Sequence, residues 1–88
     1  MALHTWVEHV VHVELLSIDA EIARTARRFL EQRFRAQDVE VTADPGELTV
    51  HGEPDRRVSA GEVAQALLEA GVRVHALYER EEWSVAEL

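Results

Sequence analysis

The chain of 88 residues has no cysteine, no lysine and no asparagine. Without cysteine there can be no disulfide, thiolate zinc site, cysteine nucleophile or thiol-based copper site. Without lysine there can be no phosphate-cradling Gly-x-x-x-x-Gly-Lys-Ser/Thr loop, whose lysine reaches the terminal phosphates. Long apolar runs are missing as well. The densest apolar stretch, Val10 to Leu16, is interrupted by His12 and Glu14, and a spanning helix needs about 20 apolar residues. No basic region precedes an apolar one at the N-terminus, so neither a secretory signal nor direct membrane insertion is expected. Serine is scarce: Ser17, Ser59 and Ser84 all stand where helix caps belong, and no Gly-x-Ser-x-Gly elbow surrounds them. Together these gaps predict a chain that is not itself an enzyme and that carries no cofactor.

What is present is acidic. Nine arginines meet 17 acids, for a formal charge of -8. That balance argues against nucleic acid as a partner, because such binding draws on cations meeting phosphates. The charge is uneven: residues 19–37 carry five arginines against three acids, and residues 47–88 carry four against nine. An arginine-bearing helix of this kind could dock an acidic partner or present a solvated face.

At this length one domain with a small core is expected. Glu8 to Leu16 alternates as a strand, with Val11, Val13 and Leu15 to one side and Val10, His12 and Glu14 to the other. Ser17 is the expected N-cap of a first helix whose inner stripe is Ile18, Ile22, Ala26, Phe29, Leu30 and Phe34. Asp38 to Ala43 alternates again, and Asp44-Pro45-Gly46-Glu47 predicts a type II turn with Gly46 at positive φ. Leu48 and Val50 continue inward on the next strand, followed by a polar loop over Gly52–Arg57. Ser59-Ala60-Gly61-Glu62 is a capping box for a second helix, and Gly71 suits the C′ position at its end. A fourth strand should turn Val72, Val74, Ala76 and Tyr78 inward.

The order β-α-β-β-α-β predicts an α+β fold: a ferredoxin-like sandwich with an antiparallel sheet of order 4-1-3-2 and both helices on one face. Ser84-Val85-Ala86-Glu87 reads as a further capping box. It predicts the start of another helix at 84–88, and hence a single domain, 1–88, cut from a longer chain.

His12, His51 and His75 share polar parity on three neighbouring strands. Three histidines can hold zinc with a position left open, but the spacing is no motif, and scattered surface histidines are the simpler reading. With Val10 and Leu77 they make the uncovered sheet face the expected interface for a partner (Val10, His12, His51, His75, Leu77). The fold hosts many functions. The acylphosphatase family needs an asparagine that is absent here, and heavy-metal-associated domains need Cys-x-x-Cys. The Leu16-Ser17-Ile18-Asp19 turn lacks the glycine frequent in amino-acid-binding ACT domains.

Ala66 to Leu88 resembles the end of many bacterial ATP-binding-cassette (ABC) transporter ATP-binding subunits, which often carry a small C-terminal domain. The matching positions are Leu67, Leu68, Ala70, Gly71, Val72, Glu79, Ser84, Val85 and Glu87. They cover roughly a quarter of the chain. The resemblance implies a non-catalytic accessory domain that supports dimerisation or regulation at the cytoplasmic face of the membrane. Its partner would be the nucleotide-binding domain of the same polypeptide or a second protomer, as in a homodimer. The competing expectation is a free-standing sensor that binds a metal ion or a small ligand.

Overall fold

The computed structural model describes residues 2–52 and 58–87, so the loop expected over Gly52–Arg57 lies outside the described residues from residue 53 on. The elements are β1 (Leu3–Leu15), α1 (Ala20–Arg33), a 3₁₀ turn (Arg35–Gln37), β2 (Glu40–Asp44), β3 (Glu47–Gly52), α2 (Ala60–Glu69) and β4 (Val74–Glu87). The four strands form one antiparallel sheet in the order β2-β3-β1-β4, with β1 paired to both β3 and β4. This is the expected ferredoxin-like α+β arrangement. No helix among the described residues is long and apolar enough to cross a membrane.

Local chemistry explains most boundaries. Ser59 caps α2 by accepting from the Glu62 N–H at 3.2 Å, and its hydroxyl donates to the Glu62 carboxylate at 3.3 Å. Gly71, at φ 74°, ends that helix. Its N–H donates to Leu68 O at 3.1 Å and the Val72 N–H to Leu67 O at 3.0 Å, the paired bonds of a Schellman motif. Gly46 takes φ 83° in the β2–β3 turn, as expected.

The first helix starts later than its sequence suggests. Asp19, not Ser17, is the N-cap, accepting from the Glu21 N–H at 2.8 Å, while the Ser17 hydroxyl accepts from the Asp19 N–H at 3.1 Å. Ile18 therefore precedes the helix and is 82% exposed, and Ile22, at the margin of the inner face, is 37% exposed. The face that packs is Ala23, Ala26 and Leu30, continued by Phe34. It meets Val11, Val13, Val41, Leu48 and Val50 from the sheet and Val63, Ala66 and Leu67 from α2.

The fourth strand departs from expectation in two ways. Glu14 pairs with Ala76 but Leu15 pairs with Val74, so His75 has no opposite residue. A bulge of this kind reverses the alternation beyond it. Leu77 therefore lies opposite Val13 and packs on the core, while Tyr78 turns to the uncovered face beside His12.

The second departure is length. Ser84–Glu87 do not begin a helix but continue β4, opposite Leu3–Trp6. Pairing with β1 supplies the backbone partners that a cap would otherwise have to provide. Since β3 stops at the His9–Gly52 pair, Leu3–Glu8 and Glu82–Glu87 run on as a two-stranded arm. The molecule measures 49 × 24 × 18 Å.

Candidate functional site

Two surfaces follow from this register. The first is the sheet face away from the helices. Its middle row runs Thr42, Thr49, His12 and Tyr78 across all four strands. The His12 ring lies 5.1 Å from that of Tyr78, with Nδ1 3.5 Å from the Thr49 hydroxyl and Nε2 4.0 Å from the Glu47 carboxylate. Acidic rows flank it. On one side Asp44 pairs with Glu47 and Glu47 with Glu14. On the other, Glu40 pairs with His51, and Glu8 lies directly opposite Glu82.

His51 Nδ1 stands 3.6 Å from Glu8 Oε2. Glu8, His51 and Glu82 each present a ligand atom within 4.8 Å of the others, and all three side chains are half-buried. A concavity of about 150 Å³ opens beside them, lined by Glu8, Asp38, Glu40, His51 and Gly52. Arg80 stands on the same face, opposite Val10, and binds Glu82 Oε1 at 2.7 Å.

The three histidines do not come together as a triad. His12 and His51 share this face, but His75 falls in the bulge, and among the described residues the only group with metal-ligand spacing is Glu8, His51 and Glu82. The expected apolar patch is likewise absent. Val10 is 1% exposed, and Leu77 belongs to the helix-covered side. The face is polar, as a wet face of an antiparallel sheet should be. Glu79, Glu81 and Glu82 lie within four positions of sequence, which alone does not say which of them shares a face with Glu8 and His51. Strand parity separates them: Glu79 turns to the helix side, where its carboxylate accepts from the Ala60 N–H at the start of α2.

The second surface is the arm. On its helix side, strand alternation places Leu3, Thr5 and Val7 beside Trp83 and Val85. No helix among the described residues covers them there, and Leu3, Trp83 and Val85 are 68%, 69% and 62% exposed. On the other side the His4 and Trp6 rings stack 5.4 Å apart. A third feature, at the opposite end of the sheet, is an open apolar groove of about 500 Å³ beside Leu16, Ile22 and Val72.

No protein-family model matches the chain, and no curated protein sequence matches it at a significant level.

Proposed function

We propose that this chain is a non-catalytic interaction domain, of the accessory kind implied by its resemblance to ABC-transporter ATP-binding subunits, and that it acts by pairing with a second copy through the β1–β4 arm. The observation that carries the reading is the bare apolar side of the arm: Leu3, Trp83 and Val85 are more than three-fifths exposed on one face. Fully burying a large apolar side chain is worth roughly 1.5–3 kcal/mol, so leaving these in water forgoes stabilisation that a partner would recover.

Charge selects the edge that a second copy would use. The outer edge of β4 carries Glu79, Glu81, Glu82 and Glu87 against Arg80. Charge of this density keeps an edge strand from self-pairing. The arm segment of β1, Leu3–Glu8, has one acid and one histidine, and no described strand pairs with it on the side where β3 has stopped. Two such edges can pair antiparallel about a two-fold axis, giving a self-complementary contact. The arms then fuse into one four-stranded ribbon with its apolar residues on a common side.

Sedimentation at several concentrations tests this. A reversible dimer is expected. Leu3→Glu, on the edge that pairs, should weaken it by about 1–2 kcal/mol, roughly tenfold, the scale of two lost cross-strand apolar pairs. Because the chain is acidic, added salt should strengthen association by screening repulsion between copies. A monomer at every concentration and salt would sink the reading. Non-catalysis is checked by titrating Mg-ATP, which should give no saturable heat.

A further inference from the structure

We propose that Glu8, His51 and Glu82 form a binding site for a divalent transition-metal ion of the zinc type at the base of the arm. The three side chains come from β1, β3 and β4, three adjacent strands of one sheet, so backbone pairing rather than a loop fixes their spacing. One imidazole and two carboxylates are ligands that zinc and its neighbours accept, and the lack of sulfur excludes the softer metals. The geometry is close to what an ion requires. Ligand bonds of about 2.0–2.1 Å in a tetrahedral shell hold neighbouring ligand atoms about 3.3 Å apart. His51 Nδ1 and Glu8 Oε2 are already at 3.6 Å, and all three ligand atoms fall within 4.8 Å.

An independent observation points the same way. Glu8 and Glu82 stand directly opposite each other on paired strands, an arrangement that repels when both are ionised. Glu40 faces His51 from β2, and Glu40 and Asp38 line the adjoining concavity. Among the described side chains Arg80 is the arginine bonded here, to Oε1 of Glu82 at 2.7 Å. A divalent cation would relieve the repulsion between the two glutamates. It would also tie β3 to the first rung of the arm beyond the point where β3 stops.

Zinc titration calorimetry on the full chain at neutral pH is the test. One saturable site in the micromolar range is expected, with millimolar magnesium failing to compete. His51→Ala and Glu82→Gln should each weaken zinc by more than about tenfold, since even the loss of an outer-shell partner costs that much. Circular dichroism establishes that both variants fold. His12→Ala, on the same face but outside the site, should bind as the parent does. Absence of saturable binding up to millimolar zinc overturns the proposal. So does parental affinity in either ligand variant, loss of affinity in His12→Ala, or equal competition by magnesium, which would mark a diffuse acidic surface.

Discussion

Leu67 and Leu68 are neighbours in α2, yet the fold assigns them opposite fates. Leu67 is fully buried in the core and Leu68 is 71% exposed. Leu67→Ala removes three buried carbons, each worth about 0.8 kcal/mol of transfer free energy, or roughly 2.4 kcal/mol before any cavity forms. The unfilled space raises the expected cost into the range of about 2–5 kcal/mol. A domain of this size has roughly 4–13 kcal/mol to lose, so the variant should fold but melt far below the parent. Leu68→Ala deletes the same atoms from a solvated position and should change stability by less than about 0.5 kcal/mol. Alanine's slightly better helix propensity partly offsets even that. Urea denaturation followed by circular dichroism measures both, with the slope checked for constancy so that midpoints can be compared. Equal losses in the two variants, or a loss below about 1 kcal/mol for Leu67→Ala, would refute the phase of α2 and the core built on it.

The bulge in β4 makes a second test. Leu77→Glu forces a carboxylate against Val13 and should cost about 2 kcal/mol or more, because a charge there loses water without gaining a partner. Unchanged stability would mean that Leu77 faces solvent and the register is wrong. Acid gives a third. The Arg24 guanidinium, hydrogen-bonded to Glu21, holds that carboxyl below its ordinary value of 4.5. A lowered folded-state value stabilises above the ordinary carboxylate range, and the effect fades as pH falls through the depressed value. Arg24→Gln should therefore be slightly less stable than the parent near neutrality and converge with it in acid. Salt should shrink the difference, because the pair is exposed. A gap that widens on acidification would contradict the sign.

The fold was legible because its signals are local. The Ser59 capping box, the Gly46 turn and the Gly71 helix end each act within a few residues, and the alternation of β1 and β3 fixes which side faces the helices. The β4 reading failed where the cause is remote. Val72, Val74, Ala76 and Tyr78 alternate without a break, and only the Glu14–Ala76 and Leu15–Val74 pairs reveal the extra residue. The last residues failed likewise. Ser84-x-x-Glu87 carries a helix-start signal, but its strand state depends on Leu3–Trp6, some eighty positions away. The site shares that limit: His51 could be singled out alone, whereas Glu8 and Glu82 gain meaning only once β1 and β4 are in register.

The long β1–β4 pairing also dictates how the chain must assemble in time. The β2–β3 hairpin joins residues a few positions apart, and β1–β3 pairing spans only part of the chain. The seam between β1 and β4 links Leu15 to Val74 at its nearest point and Leu3 to Glu87 at its farthest. Contacts at such separation slow folding, because the loop must close before they stabilise anything. Closing it at Leu15–Val74 rather than at the tip spares only about 0.3 kcal/mol, since loop entropy grows only logarithmically with length, but each later pair then closes only a short further loop. The seam then zips outward to the tip. The inner strand β1 thus gains both neighbours only once β4 has paired. Until β4 arrives, one of its edges stays bare.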